Sequence, residues 1–436
     1  MRKYLKIKKI FDYATMPGVI RFTLFLWILM IPFHIVPSVH AKNYIKIGLL
    51  EEPKTLNIWL ATDAWSGKVL SQIYQPLYIR EPENLKLTPW LAAEHPVYDP
   101  DALTYTVKMR PAKWSDGSEL TAEDVAFTGH LIKTLKVPRY LSSWEFVEKI
   151  EAPDKHTVRF TLREPKAIFL SRTLTTPIVQ KKCWRVILER VKNLEKPLLE
   201  ILKQKITNPI SSGPFVLKEW RRGAYVFLEK NEHFFGRGLE IAGYHLGPHI
   251  DGIIFKFFGT SDAAVLALRK GSIDMFWWGL QQGYLAALED DENVKIYTSE
   301  KSALYYMGFN LRKKPFNDLH FRKAVALATD KRFIVKRILQ GYALQADSII
   351  PSSNAFWYDP NVPGYGEGLT RDERIRKAHQ LLKEGGYTWE DPPVNAEGEV
   401  VRGEDIRLPD GSEMKRLTIL TPPADYDPQR AMVGIM

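Results

Sequence analysis

Between Thr104 and Arg110 the chain reads Thr-Tyr-Thr-Val-Lys-Met-Arg, the alternation expected of a half-buried strand. Pro111 ends that strand. Ser115-Asp116-Gly117-Ser118 then supplies turn chemistry: an Asp able to bond its own backbone and a Gly free to take positive φ. Thr121 is placed as a helix N-cap, with Asp124 three residues on reaching back toward the free amides. Val125, Phe127, Leu131 and Ile132 follow roughly along one helical face. The same patterning predicts strands at Tyr44–Leu50, Thr157–Leu162, Val226–Phe235, Gly252–Phe258, Ile273–Trp278 and Leu417–Leu420. It predicts helices running through Leu70 and Ile73, over Asp262–Lys270, over Leu319–Thr329 behind a Phe316-Asn-Asp318 cap, and from Gln429 onward.

The first 41 residues read differently. Arg2, Lys3, Lys6, Lys8 and Lys9 form a basic start, Phe22–Ile31 is an unbroken apolar run, and Val39-His40-Ala41 places small residues where a signal peptidase cuts. That apolar run is short for a bilayer span, which takes about 20 residues. An export signal is the expectation, with an uncleaved anchor as the alternative. No Cys follows the run, so no bacterial lipid anchor is expected.

Composition narrows the class. A chain with 45% hydrophobic and 26% charged residues is an ordinary globular one, and 436 residues allow two or three domains. The formal charge of +10 falls to +5 once the leader is set aside, with 55 basic and 50 acidic residues from Lys42 onward. That is no nucleic-acid footprint, and no nucleic-acid partner is expected. The single Cys183 excludes an internal disulfide and a cysteine-built zinc site. His245 and His249 have the spacing of a helical metal pair, but Gly247 and Pro248 between them make a loop. Gly364-Tyr-Gly-Glu-Gly368 lacks the preceding strand and following Lys-Ser/Thr of a phosphate loop. No metal or other cofactor is called for. A secreted hydrolase is disfavoured because G-x-S-x-G, H-E-x-x-H and a paired Cys/His arrangement are all missing. Lys181–Lys205 is a basic, apolar-interleaved helical tract, either a solvated face or a contact for a partner or membrane surface.

KWSDGSELTAEDV, within Val107–Lys133, resembles the signature of the family 5 extracellular solute-binding proteins, the oligopeptide- and dipeptide-binding subunits of ABC importers. LEEPKTLN (Leu50–Asn57), APDKHTVRFTLREP, SSGPFVLKEW, GPHIDGIIFKFF, LRKGSIDMFWWG, GFNLRKKPFNDLHFRKAVALATDK and RKAHQLLKEGGY fit the same family in the same order. The resemblance implies an α/β, periplasmic-binding-protein-like fold of two lobes with an extra domain, the peptide-binding type. On that pattern 42–87 with 207–283 form lobe I, 88–206 an additional domain inserted in it, and 284–436 lobe II. Lobe II is expected to be incomplete, because family members continue beyond this point. Their continuation carries the acidic residue that usually pairs with a peptide's amino group.

The resemblance also nominates ligand contacts. Thr62, Asp63 and Trp65 lie in the loop that approaches the ligand from lobe I, although a Trp at a helix start equally suits core packing. Tyr140 sits where relatives often bring an aromatic toward the cleft, on a poor local match. Trp277 and Trp278 end a buried strand and point to opposite faces, so one can be core while the other lines a pocket; the family favours Trp278. Tyr305 or Tyr306, at the crossover into lobe II, can stack a ring and donate a hydroxyl. No catalytic residue is nominated. The implied function is periplasmic capture of peptides, or of a related small solute, by a monomer that hands them to ABC permease subunits in the membrane. Nickel chelates, oligosaccharides and chemosensing remain alternatives on the same fold.

Overall fold

The computed structural model describes residues 42–277, 280, 282–300, 303–422 and 428–435. Residues 1–41, where an export signal is expected, and Trp278 lie outside the described residues.

The principal strands are β1 (Tyr44–Leu49), β2 (Val97–Asp99), β3 (Thr104–Lys108), β4 (Val147–Asp154), β5 (Thr157–Leu162), β6 (Phe215–Arg221), β7 (Tyr225–Lys230), β8 (Gly252–Phe257) and β9 (Met275–Phe276). They build two sheets. One has the order β6-β7-β8-β1-β9, in which β1 runs parallel to β8 and β9 while β6, β7 and β8 pair antiparallel. The other is antiparallel throughout, in the order β2-β3-β5-β4. The first sheet thus joins the start of the chain to residues more than 200 positions later, and the second lies wholly between them. In β1 the register sets Tyr44 beside Gly252 and Leu49 beside Phe257. Gly48 stands where an added Cβ would come within 2.7 Å of the Ile273 side chain, so β1 and the turn before β9 pack too closely for a larger residue.

The principal helices are α1 (Ala64–Leu70), α2 (Ala122–Leu135), α3 (Lys181–Val191), α4 (Pro197–Leu202), α5 (Ser261–Arg269), α6 (Leu319–Ala328), α7 (Arg371–Glu384) and α8 (Pro428–Ile435). The strand, turn and helix at residues 104–135 form as their pattern predicts. Gly117 takes φ +81°, and Asp116 Oδ1 accepts the Ser118 amide at 3.0 Å. Asp124 Oδ2 accepts the Thr121 amide at 2.9 Å and closes the capping box. The same carboxylate accepts the Trp114 indole N–H at 3.2 Å and, through Oδ1, the Lys181 amide at 2.7 Å. One buried acid therefore ties the turn, α2 and the start of α3 together.

A continuous apolar core runs from Ile47 to Phe255 and fills the space between both sheets and α1–α4. Trp59, Trp114, Trp144, Phe160 and Phe169 are its largest fully buried side chains with Tyr78 and Phe255. The C-terminal portion is held by a much smaller core, Ala324 and Leu327 of α6 against Ala378 of α7 with Leu369, Leu381 and Leu382 around them.

Three expectations are revised here. Leu417–Leu420 is not a strand: it pairs with no ladder among the described residues, and Leu420 is 92% exposed. Alternating apolar residues become a strand only where another edge satisfies the backbone. The tract Lys181–Lys205 is two helices, because Pro197 cannot continue α3 but suits the first turn of α4. The predicted helix through Ile73 stops at Leu70, with Ile73 fully buried in the turn beyond.

Candidate functional site

In open α/β sheets ligands lie beyond the carboxyl ends of parallel strands. Here those ends are Leu49 of β1, Phe257 of β8 and Phe276 of β9. The chain leaves β1 through Leu50–Thr62, a loop that its own side chains make rigid. Buried Asn57 accepts the Trp59 amide on Oδ1 at 3.0 Å and donates through Nδ2 to the carbonyls of Ile201, Leu202 and Gln204 at 2.9–3.2 Å. α1 then starts at the same edge, and Asp63 caps it by accepting the Ser66 amide at 2.8 Å and the Ser66 hydroxyl at 2.6 Å.

Trp277 follows β9 directly, its amide 3.5 Å from the Gly48 carbonyl. Trp277 is 42% exposed, and Lys68 Nζ, in the last turn of α1, sits 3.2 Å from its ring centroid. A cation–π pair at a half-exposed site such as this contributes about 0.5–1 kcal/mol. β9 is two residues long and forms the edge of the sheet, so its outer backbone groups carry no ladder partner among the described residues. The edge thus combines an open strand, a half-exposed indole and an ammonium. Such a set can pair with an extended backbone, stack a side chain and hold a carboxylate.

The nominated residues separate. Thr62, Asp63 and Trp277 lie at this edge, Thr62 exposed and Asp63 engaged as a cap. Trp65 is 3% exposed and donates its indole N–H to Glu51 at 3.1 Å, so it packs in the core under the loop. Tyr140 is likewise buried: its hydroxyl reaches the Ile58 carbonyl at 3.3 Å, its ring packs edge-on against Trp59, and burial pushes its hydroxyl pKa up. Neither presents a surface to a ligand in this arrangement. Both were nominated by position in the family pattern, and both are instead large aromatics taken up by the one core that surrounds them. Tyr305 and Tyr306 are exposed on an extended segment, with the Arg430 guanidinium of α8 5.4 Å from the Tyr305 ring. Lys68 was missed; a lysine in the last turn of a short helix carries no signal without its aromatic partner. Among the described residues no group of three or more His, Cys, Asp or Glu is placed to hold a metal ion.

The family model for bacterial extracellular solute-binding proteins, family 5 (middle portion), matches residues 86–435. The chain belongs to that family. Among its curated relatives, the oligopeptide-binding protein AppA of Bacillus subtilis is 31% identical over 81% of this chain and 60% of its own length. The glutathione-binding protein GsiB of Escherichia coli is 28% identical over 76% of this chain and 59% of its own. The chain thus spans about 60% of the length of the curated relatives it matches. Among solved structures, Bacillus subtilis AppA in complex with a nonapeptide aligns with a TM-score of 0.65 at 26% identity, over 85% of this chain and 67% of that one. The Helicobacter pylori protein DppA in complex with the peptide STSA aligns with a TM-score of 0.62 at 25% identity, over 79% of this chain and 65% of that one. The fold is the mixed α/β, two-lobed fold of periplasmic binding proteins, and the family is one of binding proteins rather than catalysts. No helix among the described residues is long and apolar enough to cross a membrane.

Proposed function

We propose that this chain is the ligand-capturing portion of a substrate-binding protein that takes up peptides outside the cytoplasm and delivers them to an ABC permease. The observation that carries the reading is the likeness, over four fifths of the chain, to an oligopeptide-binding protein whose solved structure holds a nonapeptide. The open edge at β9 supports it, because main-chain pairing with a roomy aromatic contact suits many peptide sequences. In this reading 42–87 and 207–283 form one lobe carrying the inserted domain 88–206, and 284–436 belong to the opposing lobe. Trp277, Lys68 and Thr62 present the first lobe's contacts, and Tyr305 and Tyr306 the second's. The leader directs export, the protein works as a monomer, and it acts by capture and hinge closure, without catalysis.

The test is a thermal melt and calorimetric titration of the full chain against a peptide library. A bound peptide at a hundred times its Kd stabilises by about 2.7 kcal/mol and raises the melt. Trp277→Ala should weaken that peptide about tenfold, the loss of roughly 1–2 kcal/mol of ring contact. A cooperative melt that no peptide shifts, but that a metal chelate or sugar does, overturns the peptide reading.

A further inference from the structure

The hairpin of α3 and α4, residues 181–205, is used on one side only. Its inner face is fixed: Trp184, Leu188, Val191 and Ile201 are buried, Trp184 packs edge-on against Trp59, and Asn57 holds the end of α4. Arg190 Nη2 donates to Gln204 Oε1 at 2.9 Å and clamps the two arms. Its outer face mixes two kinds of residue. Val186 is 68% exposed, Leu194 49% and Leu199 45%. Around them stand eight basic residues and three acidic ones within 25 positions. The acids are already engaged, Glu189 with Lys192 at 2.5 Å, Glu195 with Lys196 at 3.9 Å and Glu200 with Lys203 at 2.9 Å. Lys182 is 4.0 Å from its nearest carboxylate, and Arg185 and Lys205 form no ion pair among the described residues. Outside this hairpin, residues 42–436 carry as many basic as acidic side chains.

We propose that this outer face docks on an anionic phospholipid surface. Cations held weakly or not at all by carboxylates on a rigid amphipathic hairpin bind such a surface by charge, and apolar side chains set among them enter the headgroup boundary. An acidic protein partner would satisfy the cations but gives Val186, Leu194 and Leu199 no common role. A bilayer uses both. The inner anchoring matters because a preformed surface loses little order on binding. Docking would hold the protein beside the membrane independently of what it carries in its site.

The experiment is co-sedimentation of the full chain with vesicles of phosphatidylcholine alone and with about one third phosphatidylglycerol. Comparing variants in the full chain keeps any contribution of residues 1–41 constant. The wild-type chain should prefer the anionic vesicles, and salt should weaken the preference. K182Q/R185Q/K205Q removes three exposed charges, each adding about fivefold to anionic binding, and should cut the preference about a hundredfold. V186S/L194S/L199S should lower partitioning while keeping the salt dependence. K313Q/R332Q/R337Q, on another basic segment, should leave the preference intact, and unchanged melts certify all three variants as folded. No anionic preference in the wild type overturns the proposal and leaves an acidic protein partner as the reading of the charges. So does a preference that survives K182Q/R185Q/K205Q or is lost in K313Q/R332Q/R337Q.

Discussion

Asp124 is the residue whose removal tests the packing argument most directly. Replacing it with Ala orphans three donors at once: the Thr121 amide, the Lys181 amide and the Trp114 indole. Each stranded buried donor costs about 1–2 kcal/mol, which sums to roughly 3–6 kcal/mol. Part of that returns, because burial is the largest influence on this carboxyl and disfavours its charge. Allowing about 1–2 kcal/mol for the relief, Asp124→Ala should destabilise by about 2–4 kcal/mol. Urea unfolding followed by tryptophan fluorescence reads it as a lower midpoint at unchanged slope. A pH series sharpens the test. Burial outweighs the three hydrogen bonds and raises the Asp124 pKa above the ordinary carboxylate range. A raised carboxyl pKa contributes proton-linked stability that is complete below the unfolded value, near about 3.9, and lost as pH rises through the folded one. The advantage of wild type over Asp124→Asn should therefore shrink as pH rises through that window. A loss under about 0.5 kcal/mol in Asp124→Ala, or a margin that widens with pH, would refute the account of Asp124 as a buried tie.

Two further expectations concern stability. At Gly129, inside α2, an added Cβ would collide with the Trp144 ring and Ile150. Gly129→Ala should therefore cost about 1–3 kcal/mol in chemical unfolding although alanine favours helices, and a stabilised variant would contradict the packing. In the C-terminal portion, buried Arg374 of α7 pairs with Asp330, whose carboxylate also accepts the Phe333 amide at 2.9 Å. That pairing holds the Asp330 pKa below the usual range. Its stabilisation is present above the unfolded pKa and is lost as pH falls through the folded one. Asp330→Asn should cost about 1–3 kcal/mol near neutral pH and little in acid. Hydrogen exchange of α6 and α7 at both pH values measures it, and equal losses at both would exclude the ion pair as the cause.

Local order was legible wherever a few neighbouring residues decide it. The Trp-Ser-Asp-Gly turn, the Thr121–Asp124 box and the Asp318 cap, whose carboxylate accepts the His320 amide at 2.8 Å, are short-range chemistry and stand as read. Long-range partners were not legible. Nothing around Tyr44 says that it will lie beside Gly252, and nothing around Tyr140 says that Ile58 will take its hydroxyl. The same limit governs the candidate site. A pair of tryptophans could be placed at a strand end, but the ammonium over Trp277 comes from α1, more than 200 residues earlier. The strand predicted at Leu417–Leu420 shows the converse: pattern supplies the capacity to pair, and pairing needs an edge.

The interior position of β1, paired along both edges, has a consequence for how the chain is made. Its flanking strands, β8 and β9, begin 208 and 231 residues later. At synthesis rates of about 5–20 residues per second, β1 leaves the ribosome roughly 10–40 s before either neighbour exists. The inserted antiparallel sheet, whose strands are close in sequence, can close within that interval; the sheet around β1 cannot. Throughout it, Tyr-Ile-Lys-Ile-Gly-Leu is an apolar strand with both edges open, the kind of segment that misassembles if another chain reaches it first. The most stable-looking strand of the finished sheet is thus the most vulnerable one of the nascent chain, and a chaperone that shields residues 44–49 should raise the folded yield more than one acting anywhere downstream.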